Sequence, residues 1–262
     1  MSGFPRRIVC LTAETTEIAF ALGAGDRVVG VSGYSVRPPE ARRKPKVGAY
    51  TTVKLDKILA LQPDLVLGFS DLQQDIARDL VAAGLTVLIL NQRSLAETAQ
   101  AIRVVGGALG LQAAGEAVAE QFEWRVESVR GMGAALPRRP RVFFEEWDDP
   151  LISGIRWVSE LIDAAGGEDI FPELRARKAA TERIVSPDEV VRRDPELIVA
   201  SWCGKQANLA RIAGRPGWDR VAAVKAGRLH EIKSANILQP GPSLFLGLRE
   251  LHALIAATAL GL

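Results

Sequence analysis

The chain has 262 residues, 48% of them apolar and 24% charged, and its 33 basic and 31 acidic side chains give a net charge of +2. This composition excludes disordered and fibrous proteins, and it supplies enough apolar surface for one large domain or two smaller ones. The balanced charge argues against a nucleic-acid-binding protein, and no apolar run approaches the about 20 residues that a membrane-spanning helix needs.

Short β-rich segments alternate with helical segments along the chain, which predicts an α/β fold. Strands are predicted at residues 8–11, 28–31, 65–68, 87–90, 142–145, 197–201 and 229–232. Helices are predicted at residues 15–22, 56–61, 72–83, 95–109 and 159–165, with a longer one over about 114–132. In the long helix, apolar residues recur every three or four positions, so one of its faces should be buried.

The first residues lead directly into the first predicted strand. Residues 1–7 contain no apolar leader and no small-residue cleavage site, so we expect a cytoplasmic protein if the sequence is full-length. The two cysteines, Cys10 and Cys203, form no metal-binding pattern. Cys10 falls within the predicted strand, where a thiol packs as a small apolar group.

One segment of the first half recurs in the second half. Residues 55–67 match residues 187–199, with Asp56 on Asp188, Pro63 on Pro195 and the apolar positions in register. Each copy is typical of a short helix ended by proline, followed by an acidic residue and a buried strand. The repeat predicts two similar α/β lobes, at 1–111 and 137–262, joined by a connecting helix at 112–136.

The common enzyme signatures are absent from the sequence. Segment 30–34 departs from a nucleophile elbow because Tyr34 stands where the second glycine belongs, and segment 106–110 follows a helix rather than a strand, unlike a dinucleotide loop. The two histidines, His230 and His252, lie on separate predicted elements. We therefore expect no catalytic residue, no metal held by the protein's own side chains and no covalent cofactor.

Aromatic and polar side chains follow several predicted strands. Ligands of open α/β sheets bind at the carboxyl ends of the strands, so these side chains are candidates for a binding site. Aromatic rings there can wall a pocket for a large, flat, partly apolar ligand. The candidates at or near these ends are Glu14, Tyr34, Tyr50, Phe69, Glu146, Trp147, Trp157, Trp202 and Cys203.

Four parts of the sequence together resemble one known family. They are segments 7–17, 55–66, 152–154 and 165–171, and segment 30–39 adds a likeness to one branch of that family. The family is that of the substrate-binding proteins of ABC importers for iron–siderophores and cobalamin, and the branch is the cobalamin-binding one. The resemblance covers nearly the whole chain. It implies two Rossmann-like α/β lobes joined by a single long helix, a ligand cleft between the lobes, and location in the periplasm.

The resemblance also implies roles for individual residues. Tyr34 and Tyr50 match positions at which cobalamin binders place aromatic residues against the corrin ring, and the loops at Trp147 and Trp202 would face them. The family's late acidic and arginine pocket motif is replaced here by segment 233–242, which could still line the site through Gln239.

Family members dock onto their membrane permease through one acidic residue in each lobe. Asp56 and Asp188 match these positions, although the family usually has the longer glutamate there. An ABC permease is therefore the candidate protein partner of a chain that is otherwise expected to be a monomer, neither inserted in a membrane nor bound to nucleic acid.

The ligand follows from charge. Segment 145–149 is acidic and would repel an anionic ferric siderophore, but not a neutral or cationic corrinoid. We expect non-catalytic binding of cobalamin or cobinamide, for delivery to an importer or retention in the cell, with Cys203 either near the ligand's metal or idle. A siderophore or haem binder is one alternative. A cytoplasmic enzyme using Glu14, Glu145 or Glu146 as acid or base is another, and a scaffolding domain is a third.

Overall fold

The structure, a computed structural model, describes residues 3–262 and divides into two units. Residues 1 and 2, which begin the predicted first lobe, lie outside it. The first unit runs to Glu123 and includes Pro240–Pro242, and the second comprises Trp124–Gln239 and Ser243–Leu262. The boundary falls inside a long helix that the predicted scheme treats as a separate connector. The scheme itself stays a prediction.

The first unit is built on a parallel sheet flanked by helices. Its elements are β1 (Ile8–Cys10), α1 (Ala13–Ala21), β2 (Val28–Ser32), β3 (Lys46–Gly48), α2 (Leu55–Ala60), β4 (Leu65–Phe69), α3 (Gln74–Ala82), β5 (Val87–Leu90), α4 (Leu95–Ala108) and the first half of α5 (Gln112–Ala134). The five strands lie in the order β3-β2-β1-β4-β5, with every neighbouring pair parallel.

The second unit has a mixed sheet. After α5 come β6 (Arg141–Asp148), β7 (Leu151–Ser153), α6 (Arg156–Ala164), β8 (Glu168–Asp169), α7 (Pro187–Arg193), β9 (Leu197–Ala200), α8 (Leu209–Ala213), α9 (Ala222–Lys225), β10 (Leu229–Glu231), α10 (Ser234–Ile237) and α11 (Leu244–Leu260). The strand order is β10-β9-β6-β7, with β8 paired to β6. Only β7 is antiparallel to its neighbour among these pairs.

All seven predicted strands form, and their ends shift by a few residues. The largest shift is in β6, which continues to Asp148 because it turns into an antiparallel hairpin with β7 and pairs Trp147 with Ile152. The prediction that Trp147 lies in a loop after this strand is therefore wrong. Three short strands, β3, β7 and β8, were not predicted, since two or three residues are too few to carry a periodic pattern.

The repeat is present in both units. Asp64 accepts hydrogen bonds from the backbone N–H groups of Arg6 and Arg7 at 2.7 and 2.9 Å, just before β1. Glu196 accepts one from the N–H of Arg141 at 3.1 Å, at the start of β6. The acidic residue after each proline therefore ties the strand that follows it to the neighbouring central strand.

Each unit has its own buried apolar cluster. In the first, Val9 and Val66 of the central strands and Leu11, just after β1, pack with Ile58 and Leu80 of the helices. The cluster of the second unit is more aromatic, with the fully buried rings of Phe143 and Trp218 meeting edge to face at 6.1 Å between centroids. Among residues 3–262, no helix is both long and apolar enough to cross a membrane.

Candidate functional site

Tyr50 lies in the short loop between β3 and α2 and is held at three points. Its hydroxyl forms a hydrogen bond with the hydroxyl of Ser70 at 2.9 Å, and its carbonyl accepts one from the side-chain amide of Gln73 at 2.7 Å. Its ring lies 6.5 Å from that of Phe69, measured between centroids. The guanidinium of Arg93 lies over the Phe69 ring at 5.1 Å. The half-buried Tyr50 ring is therefore fixed in place before any ligand arrives.

Ser70, at the end of β4, has an unusual backbone. Its φ of 78° and ψ of 157° fall in a region that is almost exclusive to glycine and costs a residue with a side chain about 1–3 kcal/mol. The side chain is buried, and its hydroxyl also accepts a hydrogen bond from the N–H of Leu72 at 3.2 Å. Sequence reasoning did not select Ser70, because a serine at a strand end carries no signal of its backbone angles.

Tyr34 follows β2 and stands apart from this arrangement. Its side chain is 51% exposed, so the structure leaves its ring open to solvent. Phe69, by contrast, is buried at the end of β4 and presents its ring to Tyr50 and Arg93. Tyr34 is thus accessible to a ligand, whereas Phe69 packs against Tyr50, and ligand binding by either stays a prediction.

Glu14 is a buried acid in the first turn of α1, directly after β1. Its side chain is 3% exposed, and burial raises the pKa of its carboxyl from 4.5 to about 7. The opposing effects, which lower the pKa, include hydrogen bonds to its backbone and to Thr12 and the charge of Arg93. One carboxyl oxygen, Oε1, has no hydrogen-bond partner among residues 3–262. A side chain of this kind can accept a hydrogen bond from a donor that the protein itself does not supply.

Two tryptophans of the second unit share one lysine. The ammonium of Lys205 lies over the ring of Trp147 at 4.0 Å and over that of Trp202 at 4.7 Å. Trp202 is 3% exposed and donates its indole N–H to Glu145 at 3.1 Å, whereas Trp147 is half-buried. Of these two rings, Trp147 is the more accessible to a ligand, and Lys205 already covers one of its faces.

The carboxylate of Glu145 is fully buried beneath these rings. Arg215 binds both of its oxygens, at 2.5 and 2.9 Å. Burial raises the pKa of the Glu145 carboxyl, and the hydrogen bonds from Arg215 and Trp202 oppose that rise. The role of this ion pair is structural, since it satisfies a charge that would otherwise be stranded in the core.

Two further carboxylates of segment 145–149 are also paired. Glu146 forms a bidentate contact with the buried Arg183, and Asp148 binds Lys205 at 3.0 Å and Arg211 at 2.8 Å. Burial would raise the pKa of Asp148, but the hydrogen bond from Lys205 and the two cationic charges outweigh it and lower the pKa. Three acids of the segment thus face four cations, Arg215 included. The expectation that this segment repels anions is wrong, because the folded chain brings distant basic residues onto it.

The enzyme alternative loses two of its candidates for the same reason. Glu145 and Glu146 are each bound by an arginine through both carboxylate oxygens, so neither is free to accept or donate a proton in catalysis. Glu14 has no such partner. In residues 3–262, no group of three or more His, Cys, Asp or Glu side chains is placed to hold a metal ion.

The remaining candidates are placed as follows. Trp157, in the first turn of α6, is 4% exposed and donates its indole N–H to the carbonyl of Ile237 at 3.0 Å, so it is packed within its own unit. Gln239 is half-buried, and its Oε1 has no hydrogen-bond partner among the described residues. Cys203 is exposed and belongs to no disulfide. Binding by any of these three stays a prediction.

Asp56 and Asp188 occupy equivalent positions. Each lies in the first turn of its helix, α2 or α7, and each is exposed. A carboxylate in the first turn is favoured by the helix dipole and keeps its oxygens in solvent. Among residues 3–262 neither carboxylate forms an ion pair, so both are accessible to an outside partner.

The chain matches one protein family and is similar to several relatives of known sequence. A model of the family described as periplasmic binding protein matches residues 8–235. An uncharacterized ABC transporter substrate-binding lipoprotein of Bacillus subtilis (strain 168), YvrC, is 28% identical over 94% of this chain and 79% of its own length. A vitamin B12-binding protein of Yersinia pestis (strain Pestoides F) is 30% identical over 77% of this chain and 71% of its own.

Two similar solved structures share the fold of this chain, and their names give different ligands, haem and vitamin B12. The periplasmic haem-binding protein RhuT of Roseiflexus sp. RS-1, in its apo form, has a TM-score of 0.85 and 27% identity, covering 97% of this chain and 99% of that one. The periplasmic vitamin B12-binding protein BtuF of Vibrio cholerae has a TM-score of 0.78 and 26% identity, covering 97% and 98%.

Proposed function

We propose that this chain, which belongs to the periplasmic binding protein family, is a non-catalytic binding protein for a corrinoid, either cobalamin or cobinamide. The family makes it a substrate-binding protein of the ABC-transporter type. The observation that carries the choice of ligand is the likeness to vitamin B12-binding proteins, which extends over more than three quarters of the chain.

Exposed and half-buried aromatic rings support a flat ligand. Tyr34 is open to solvent, Tyr50 is held rigidly in the first unit, and Trp147 is half-buried at the end of β6 in the second. A rigid aromatic side chain loses little conformational entropy when it stacks on a ligand. The macrocycle of a corrinoid offers such rings a broad face.

Unpartnered buried acceptors support the corrinoid in particular. Gln239 Oε1, and Glu14 Oε1 while its carboxyl is ionised, each need a hydrogen-bond donor that the described residues do not supply. The rim of a corrin ring carries primary amides, whose N–H groups donate to such oxygens. The rim of haem carries carboxylates, which at neutral pH accept hydrogen bonds and donate none. These acceptors therefore match the corrinoid better than haem.

Haem is the second candidate, and two observations favour it. The haem-binding relative of known structure superimposes with the higher TM-score of the two described above. In addition, Lys205 over the Trp147 ring and Arg211, which shares Asp148 with it, are both substantially exposed, and their charges suit the propionates of a haem. The neutralised segment 145–149 no longer argues against an anionic ligand.

The test is a titration panel followed by calorimetry and visible absorption. Cyanocobalamin and dicyanocobinamide should bind with saturation at one per chain. Haemin and a ferric hydroxamate should bind more weakly. Binding of haemin without either corrinoid would transfer the assignment to haem, and silence with all four would overturn the proposal.

Two variants sharpen the test. Tyr50→Ala should weaken corrinoid binding by about tenfold, since a stacked aromatic ring contributes about 0.5–1.5 kcal/mol beyond its buried area. Trp124→Ala is the matched control, because this ring is 69% exposed on the long helix α5 and lies at no strand end. Equal affinities of the two variants would contradict the assignment of Tyr50.

The proposed partner is an ABC permease. Asp56 and Asp188, exposed at the starts of matching helices, would each meet a basic residue there. One exposed ion pair contributes only about 0–1 kcal/mol, so two such pairs, one on each unit, serve mainly to orient the complex.

A further inference from the structure

We infer that Ser70 is a positioning residue that fixes the Tyr50 ring for ligand binding and is retained at the cost of backbone strain. The inference rests on the proposed role of Tyr50 in binding a corrinoid. Together with Phe69 and Gln73, Ser70 forms what we call the Tyr50 clamp. None of these three side chains needs to touch the ligand for the clamp to act.

The hydroxyl of Ser70 links two parts of the chain. It bonds the Tyr50 hydroxyl at 2.9 Å, and it accepts the N–H of Leu72 at 3.2 Å. The loop that carries Tyr50 is 20 residues away in sequence, so the first bond is a tertiary contact. Because Ser70 is 1% exposed, water does not compete for that hydroxyl.

The backbone of Ser70 is suited to glycine, not to serine. With φ at 78° and ψ at 157°, a side chain crowds its own backbone, and a glycine would remove that crowding. A residue with a side chain stays in such a conformation only where contacts with its surroundings hold it there, and such residues are common at functional sites. The one interaction that a glycine could not supply is the hydroxyl to Tyr50 and Leu72.

Gln73 completes the clamp and depends on a glycine of its own. Its amide donates to the Tyr50 carbonyl at 2.7 Å, and its Oε1 accepts the N–H of Phe69 at 3.1 Å. A Cβ added to Gly68 would lie 2.6 Å from that Oε1 and would push the amide away. Both ends of Tyr50, the backbone and the phenol, are thus anchored to the end of β4.

The first experiment separates the hydroxyl from the backbone. Ser70→Ala removes the hydroxyl and keeps the crowding, whereas Ser70→Gly removes both. Both variants should therefore lose the same affinity for cyanocobalamin, about threefold to tenfold, the usual effect of one hydrogen bond. The urea midpoint should fall for Ser70→Ala and stay close to wild type for Ser70→Gly. If Ser70 had only a structural role, the affinity for cyanocobalamin would fall in Ser70→Ala, as its urea midpoint does, and stay close to wild type in Ser70→Gly. That result would overturn the inference.

A double-mutant cycle tests the link to Tyr50. Tyr50→Phe removes the same hydrogen bond from the other side, so adding Ser70→Gly to it should cost no further affinity. Ser186→Ala is the matched control, because Ser186 also accepts the N–H of the residue two positions on at 3.2 Å but bonds no tyrosine among the described residues, and it should bind as wild type does. Additive losses in the cycle would contradict the inference.

A third measurement needs no ligand. The chain has only two tyrosines, so Tyr34→Phe protein labelled at tyrosine gives NMR signals from Tyr50 alone. Ser70→Gly in that background should shift the Tyr50 ring signals. It should also narrow or average them, because the phenol ring gains rotational freedom. An unchanged spectrum would overturn the inference even if no corrinoid binds. Absence of corrinoid binding by wild-type protein, with the spectral change present, would overturn the proposed function alone.

Discussion

Gln62 and Asp194 occupy equivalent places in the two copies of the repeat and share a left-handed backbone, with φ of 46° and 45°. Each follows a short helix and precedes the proline that leads into a strand. The left-handed turn is what redirects the chain from the helix to the sheet. Its cost is paid by a residue with a side chain in both units, although glycine would adopt it more easily.

Replacing these two residues by glycine should have opposite effects on stability. Gln62 is exposed, and its bonds to the rest of the protein run through its backbone, so Gln62→Gly should stabilise the protein by about 0.5–1 kcal/mol. Asp194 accepts the N–H of Ala222 at 2.8 Å, so Asp194→Gly also loses a side-chain bond and should destabilise it by about 1 kcal/mol. Urea unfolding measures both, and equal stabilisation would show that the Asp194 carboxylate contributes nothing.

The same repeat explains how much of the fold could be predicted. The helix, proline, acid and strand pattern is local, so positions such as Asp56, Pro63 and Asp188 carry the signal by themselves. The hairpin that lengthens β6 was missed because Trp147 is defined as a strand residue only by its partner Ile152 on the other side of a turn. Long-range pairing of this kind leaves no periodic mark in a segment of three residues.

Glu14 should make the stability of the protein depend on pH. Its pKa is 4.5 in the unfolded chain and about 7 in the folded one, because burial disfavours the charged form. The folded chain therefore binds more protons between these values, and the free energy of unfolding should fall as the pH rises from about 4.5 to about 7. Glu17, paired with Arg37, and Arg93 are the neighbouring charges.

The variant Glu14→Gln removes this titration. It should be more stable than wild type at pH 8, by up to about 3 kcal/mol, and equally stable at pH 4. Urea unfolding at the two pH values measures the difference. The matched control is Glu120→Gln, on the exposed face of α5, which should follow wild type at both. A gain that is the same at pH 4 and pH 8 would show that repacking, and not the charge, is responsible.

The candidate site could be predicted less completely than the fold. Tyr50 and Trp147 were selected as candidates because aromatic residues at strand ends are rare enough to be informative, and their role in binding stays a prediction. Ser70 and Lys205 were not, since the first matters through its backbone angles and the second through rings 58 and 3 positions away. The acidic run at 145–149 was misjudged for a related reason: its cations come from Arg183, Arg211 and Arg215, far along the chain.

Charge reversal should separate ligand binding from docking. Asp56→Lys and Asp188→Lys together should leave the affinity for cyanocobalamin within about twofold of wild type, because both side chains are exposed at the starts of short helices and neither is a proposed ligand contact. Growth that depends on corrinoid uptake through this protein should be lost. Each single variant should have a smaller effect, since one exposed pair contributes about 0–1 kcal/mol. Asp26→Lys is the control, and normal growth of the double variant would exclude these residues as the docking pair.

Arg215 should be among the residues on which the stability of the second unit depends most. Arg215→Ala would leave the fully buried Glu145 without its counter-charge and should lower the free energy of unfolding by about 3–5 kcal/mol. Glu145→Gln combined with Arg215→Met removes both charges and should recover much of that loss. The matched control is Arg156→Ala, which breaks the more exposed pair with Glu160 and should cost less than about 0.5 kcal/mol. Tryptophan fluorescence during urea unfolding reports all three, since Trp202 and Trp218 both contact this pair. An Arg215→Ala protein as stable as Arg156→Ala would mean that Glu145 takes up a proton when its partner is lost.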